Sequence, residues 1–209
     1  ETVALRAPAH PVARALLAAF GKPVAAPSAN RSGRISPTSA ADAMAELSGR
    51  CDLIVDGGVC AVGLESAIVD CTRDAPALLR PGGIARADIE RALGQTLAMA
   101  AQDAGIAAPG MLASHYAPNA RVRLEASEIE AGEAALDFAG RLGAQAPRAR
   151  AYADLSPQGD LREAAANLFA LLRRLDASGV ERIAVAPVPE DGLGEAINDR
   201  LRRAAADRG

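Results

Sequence analysis

A chain of 209 residues has room for one large domain or two small ones. Its formal charge of -3 gives no global sign of the basic stripe that nucleic-acid binders carry, and no apolar run reaches the ~20 residues that would span a bilayer. Half the residues are hydrophobic but only 2% are aromatic and none is Trp, so the core must come from Ala, Leu, Val and Ile.

The start, ETVALRAPAHP, has no basic leader and no long apolar region, so no signal peptide is expected. It also lacks an initiator Met, and residues are expected upstream. VARALLAAF (12–20) reads as a helix with Pro11 at its first turn. VAA (24–26) fits a short buried strand. The stretch PVAAPSANRSGRISPTSA (23–40) follows directly, with three prolines, four serines, a threonine and an asparagine. Helix and strand are both discouraged there, so it is a loop. If it follows a strand, it lies where α/β sheets bind ligands. Ser36 to Ser39 can cap a helix running through Met44 and Leu47.

CDLIV (51–55) is expected to be a strand, AIVDC (67–71) another, and LLRPGGI (78–84) a third closed by a Pro-Gly-Gly turn. Residues 87–93 form a helix capped near Asp88. From 95 to 120 the periodicity is lost, and this segment, with APGM and HYAP inside it, reads as a linker. A new unit then begins. VRLEA (122–126) is a strand, 128–142 is broken and polar, and RARAYAD (148–154) is a strand. Residues 160–177 form a long helix with Leu161, Ala165, Leu168, Leu172 and Leu175 on one face. RIAVAPV (182–188) is a strand and 194–206 a closing helix. The alternation of strands and helices predicts a small parallel sheet.

Several residues stand out chemically. Ser28, Asn30, Ser32, Ser36 and Thr38 can all donate hydrogen bonds, and Gly33 allows close backbone approach. Ser36 and Thr38 lie at a predicted helix N-terminus, which favours anions. Lys22, Arg31 and Arg34 are cations able to balance phosphate charge. The Walker pattern is absent, and an ordinary surface loop is the competing reading. Arg80 and Arg6 each interrupt an apolar stretch, either snorkelling to solvent or holding an anion. Ser66 has no histidine nearby and is read as a turn residue or ligand contact. His115 and Tyr116 either clip the linker to a domain or close over a planar ligand. Cys51, Cys60 and Cys71 lack metal-ligand spacing, and buried reduced thiols of a cytoplasmic protein are expected.

In this order, PVAAPSANRSGRISPTSA, DLIVDGG, VGLESAIVD, LLRPGGI and APGM…HYAP resemble the threonylcarbamoyl-AMP synthases with a YrdC-like catalytic domain. AANLFALLRRLDASGVERIAV and GLGEAINDRLRRAA resemble the C-terminal domain of the two-domain type. The resemblance implies an α/β fold: the C-terminal part of a YrdC-like twisted domain (1–94), a linker with HYAP (95–120) and a small Rossmann-like parallel-sheet domain (121–209). It implies a nucleotidyltransferase that joins L-threonine, bicarbonate and ATP into threonylcarbamoyl-AMP and pyrophosphate. A partner transferase would pass the threonylcarbamoyl group to a tRNA adenosine, and Mg²⁺ would accompany ATP.

Carried over by position, Thr2, Ser28, Asn30, Ser36 and Arg80 contact ATP, and His115 and Tyr116 close over it. Arg6, Ala26 and Ser66 form the threonine pocket. No catalytic acid or base is implied. The family's catalytic domain also has an earlier part with a KxR motif. The chain therefore resembles the C-terminal portion of a synthase, with activity and a complete catalytic fold not expected of these residues alone. The alternative is an RNA-binding YrdC-like module without synthase activity, which the acidic balance disfavours. A carbamoyl-transfer domain of the hydrogenase-maturation kind would carry zinc-finger cysteines that this chain lacks.

Overall fold

The computed structural model describes residues 2–72, 74–99 and 115–207. Helix α1 (Pro11–Phe20) starts on a proline, whose missing N–H costs nothing there, and stops at Gly21 with φ 67°. Helix α2 (Ala40–Leu47) is capped by Ser39, whose hydroxyl accepts the Asp42 N–H. Strands β1 (Ile68–Asp70) and β2 (Ala77–Arg80) pair antiparallel, and β3 (Ala98–Met99) joins β2 in parallel. Between them lies α3 (Arg86–Leu93). Its N-cap is Ala85 with no side-chain bond, so Asp88 is not the cap; it sits in the first turn and pairs with Arg91 at 2.8 Å.

Two expected strands are absent. Residues 24–26 and 51–55 form no ladder, and Val24, Leu53 and Val55 are exposed. An apolar run becomes a strand only when a neighbour takes its backbone hydrogen bonds, and no described segment does so here. The polar loop 23–40 is therefore not positioned by a strand end. The three cysteines, expected to be buried, are exposed, Cys51 and Cys60 on this open segment and Cys71 just after β1. Of the expected linker, 98–99 is a strand and 115–120 is mostly buried, while APGM lies outside the described residues.

The second unit is the predicted parallel sheet. Strands β4 (Arg121–Arg123), β5 (Ala134–Asp137), β6 (Tyr152–Asp154) and β7 (Arg182–Val185) are ordered β4-β7-β5-β6, all parallel. Strand β5 falls within the stretch expected to be broken and polar. All four of its residues are buried, so it shows no alternation, and its Ala-Ala-Leu run is too short and small to be recognised as a strand. Helix α4 (Leu161–Asp176) is capped by Asp160, which accepts from the Arg162 and Glu163 N–H groups. It buries Ala165, Leu168, Leu172 and Leu175 as its spacing predicts, and Ala164 and Phe169 beside them; Leu161 is half-buried. Each buried Leu or Phe contributes about 2 kcal/mol. Helix α5 (Gly194–Ala205) packs beside α4.

The polar loop is held by this second unit. Ile35 is 4% exposed inside the cluster formed by Tyr116, Leu168, Phe169 and Leu172, with Leu64 packed against it. Arg173 of α4 donates to the Ile35 carbonyl (2.7 Å) and to Glu46 of α2 (3.0 Å), and Arg31 reaches the other Glu46 oxygen at 2.9 Å. Ala117 N–H donates to the Gly33 carbonyl at 2.9 Å. Gly63, at φ 68°, lies against the backbone of Ala165 and Ala166.

A Cβ on Gly63 would fall 2.6 Å from the Ala166 carbonyl oxygen. Gly63→Ala should therefore lower unfolding free energy by more than about 2 kcal/mol in urea. Gly132→Ala, at φ 85° in open space, should lose only about 1 kcal/mol of backbone strain. Equal losses would remove the close-approach explanation.

Burial raises the Glu46 pKa, but hydrogen bonds from Arg31 and Arg173 outweigh it and hold the carboxyl below its ordinary 4.5. A depressed carboxylate contributes stability above its unfolded pKa and loses it as pH falls through the folded value. Thermal melts should therefore drop in Tm below about pH 4.5, and Glu46→Gln should flatten that drop. An unchanged acid limb in the variant would mean other carboxylates govern it.

Candidate active site

Arg80 ends β2, where the following Pro-Gly-Gly turn folds onto residues 65–67. Gly83 N–H donates to the Glu65 carbonyl at 2.9 Å, and Gly82 sits so close to the Ala67 backbone that no side chain fits. This closure brings Arg80 over Ser66, whose carbonyl accepts from Nη2 at 2.9 Å and from Nε at 3.2 Å. Arg80 is only 4% exposed. Burial is the largest effect on its pKa and pulls it below the ordinary guanidinium value. Tyr116 and Glu65 act against that, Arg200 and Arg6 with it. The group remains a cation, since a guanidinium does not lose its proton in proteins. Of the two readings of Arg80 from sequence, snorkelling to solvent is excluded.

Beside it, the Ser36 hydroxyl donates to Glu65 Oε1 at 2.5 Å. Glu65 Oε2 accepts from Arg200 Nε at 2.8 Å, although Arg200 belongs to α5. Arg200 is fully buried, and it also donates to Asp199 at 2.5 Å and to the Pro81 carbonyl at 3.0 Å. Burial, the largest effect, opposes its charge. Glu65, Tyr116 and Asp199 outweigh it, and the Arg200 pKa is raised.

Tyr116 is 1% exposed, with its ring 5.4 Å from Phe169 and 5.2 Å from the Arg200 guanidinium carbon. The packing-clip reading of HYAP thus has direct contacts. Its backbone is left-handed, at φ 60°, which costs a residue with a Cβ about 1 kcal/mol or more. The strained turn is pinned on both sides, by His115 N–H on the Arg203 carbonyl (3.2 Å) and Ala117 N–H on Gly33. The His115 ring meets Tyr116 edge-on at 4.1 Å. Its Nδ1 is buried without a partner among the described residues, and burial lowers its pKa, favouring neutral imidazole.

The structure thus gathers Ser36, Ser66, Arg80, His115 and Tyr116, with Arg6 near enough for its charge to act on Arg80. Thr2, Ala26 and Ser28 are exposed, and no described contact brings them to this group. Asn30 is buried but turned into its own loop, its amide donating to the carbonyls of Arg31 and Arg34, both at 3.0 Å; its Oδ1 has no partner among the described residues. The α2 N-terminus is already occupied: the Asp42 carboxylate accepts from Thr38 N–H at 3.2 Å, and the Asp42 N–H donates to the Ser39 hydroxyl at 3.2 Å. Arg31 and Arg34 are engaged by Glu46 and Asn119. A cleft of about 430 Å³ between α2 and residues 51–60 includes neither Arg80 nor Tyr116.

Glu65 and Arg200 were not singled out from sequence. Arg200 had a legible signal. It lies at helical spacing among Ala196, Ile197, Leu201 and Ala204, so an arginine falls on the buried stripe.

Residues 84–206 match the family model described as threonylcarbamoyl-AMP synthase, C-terminal domain, and residues 1–82 one described as telomere recombination. Over its whole length the chain is 36% identical to the threonylcarbamoyl-AMP synthase of Bacillus subtilis, covering 64% of that protein, and 36% identical to that of Pyrococcus abyssi, covering 65%. The crystal structure of P. abyssi Sua5 complexed with L-threonine is similar at a TM-score of 0.80 and 34% identity, over 96% of this chain and 63% of that one. A variant of P. abyssi Sua5 with a neighbouring histidine and tyrosine changed to alanine gives the same TM-score at 33% identity, over 96% and 62%. The chain thus spans a little under two thirds of the length of these relatives. With a family match over more than half of its length and 36% identity along the whole of it, this chain belongs to the threonylcarbamoyl-AMP synthase family.

Proposed function

We propose that this chain carries the nucleotide and threonine wall of an L-threonylcarbamoyladenylate synthase. The observation that carries the reading is Arg80, a buried cation fixed by the Ser66 carbonyl beside Ser36 and Tyr116. In the reaction, the threonine amine and bicarbonate condense to a carbamate and water. A carbamate oxygen then attacks the α-phosphorus of ATP, the bond to the β,γ-phosphates breaks, and pyrophosphate leaves.

Such chemistry asks the protein for positioning and charge neutralisation rather than for an acid–base pair. Arg80 meets the phosphates. Ser36, with Thr2, Ser28 and Asn30, lines the nucleotide, and His115 and Tyr116 form the wall on the side of the second unit. Arg6 holds the threonine carboxylate in a pocket shaped by Ala26 and Ser66; the structure of the P. abyssi relative in complex with L-threonine supports that substrate. Among the described residues no group of three or more His, Cys, Asp or Glu converges as metal ligands. Mg²⁺ would enter on the nucleotide's own phosphates. The product would go to a transferase that modifies a tRNA adenosine in the cytoplasm. No helix among the described residues is long and apolar enough to cross a membrane.

Pyrophosphate release from ATP that needs both threonine and bicarbonate tests the reaction; release that ignores threonine would overturn it. Binding tests the site separately. Arg80→Ala should weaken ATP about 10- to 100-fold by calorimetry, the loss expected for charge-assisted bonds of about 1.5–3 kcal/mol. Unchanged ATP affinity would contradict the assignment. Ser66→Ala should cost threonine affinity about fivefold, one neutral hydrogen bond, with ATP binding kept. Equal losses for both ligands would merge the two subsites.

A further inference from the structure

Glu65 serves two structural units with one carboxylate. Oε1 accepts the Ser36 hydroxyl at 2.5 Å, and Oε2 accepts Arg200 Nε at 2.8 Å. The first partner lies in the loop that the proposed function assigns to the nucleotide, the second on α5 of the C-terminal unit. We propose that Glu65 is a positioning residue that ties the Ser36 hydroxyl to the docked C-terminal unit and thereby sets nucleotide affinity. This rests on the nucleotide-site reading above.

The chemistry of the hydroxyl makes the tie directional. Ser36 has one proton, and it goes to Glu65. Outward, Oγ then offers only lone pairs. A ligand atom meeting it must be a donor, such as a ribose hydroxyl or an amino group, and not a phosphate oxygen. Only a carboxylate accepts on both sides. In Glu65→Gln one partner faces an amide N–H, so either Ser36 turns its proton outward or Arg200 loses its acceptor. Arg200 is already held through Nη1 by Asp199 and through Nη2 by the Pro81 carbonyl, which keeps its Nε–H aimed at Glu65.

The test is a double-mutant cycle on the 209-residue chain, with ATP and inorganic tripolyphosphate as the titrated probes. Glu65→Gln should weaken ATP about fivefold while tripolyphosphate stays within twofold. In a Ser36→Ala background the same change should alter ATP affinity less than twofold, since its effect runs through that hydroxyl. A merely structural role would give the full loss in both backgrounds, and that result overturns the proposal, as does an equal loss for tripolyphosphate. Urea unfolding of the same four chains decides the link without any ligand. Ser36→Ala and Glu65→Gln should be non-additive by twofold or more in the unfolding constant, and smaller coupling overturns it. A wild-type chain that binds neither probe but shows the coupling would refute the nucleotide-site reading and leave the tie between the units standing.

Discussion

The guanidinium of Arg200 has no contact with solvent, and the arrangement of the two units around it follows from that. A buried charge persists only when it is paired and its donors are used, and removing one partner of such a pair typically costs about 3–5 kcal/mol. Here the partners come from both units and the linker: Glu65 and the Pro81 carbonyl from the first unit, Asp199 from the second, and the Tyr116 ring from the linker between them. The charge therefore cannot be satisfied unless α5 rests against Glu65 and the turn that follows β2. That turn is the same Pro-Gly-Gly closure that aims Arg80, so one electrostatic requirement places the candidate phosphate ligand.

The second unit also substitutes for secondary structure in the polar loop. Residues 30–38 are neither helix nor strand, yet Ile35 sits in the core of the parallel-sheet unit and its carbonyl is held by Arg173. Apolar burial fixes the depth of the loop, and the Glu46 pairs with Arg31 and Arg173 fix its lateral position. Tyr116 then does in the linker what Ile35 does in the loop, at the cost of a left-handed backbone. Among the described residues, the contrast with the start of the chain is physical. Val3 and Leu5 stay exposed, and α1 buries no residue.

Legibility followed periodicity. Helices α4 and α5 could be read because their apolar spacing matches an element with one buried face, and β7 because Ile183 and Val185 stand in a longer apolar run bounded by polar residues, although it too is buried on both faces. Strand β5 escaped because a fully buried strand has no alternation, and strands at 24–26 and 51–55 were over-read because local propensity cannot supply a hydrogen-bonding neighbour. In the site, Arg80 and Tyr116 were legible as misfits in their surroundings. Glu65 was not, because nothing local distinguishes a carboxylate that pairs 135 residues away from one that faces water.

The sequence by itself determined the family, through an ordered set of motifs. It also determined the parallel sheet of the second unit, through side chains that must be buried at regular intervals. Tertiary structure alone decided which hydroxyl meets which carboxylate, why the polar loop has a defined shape, and that an α5 arginine helps to build the candidate site. The physical reason is range. Helix propensity, capping and amphipathic spacing act over a few residues, and the sequence records them directly. A buried charge is satisfied by whatever the folded chain brings within hydrogen-bond distance, and that is set only when the two units have docked.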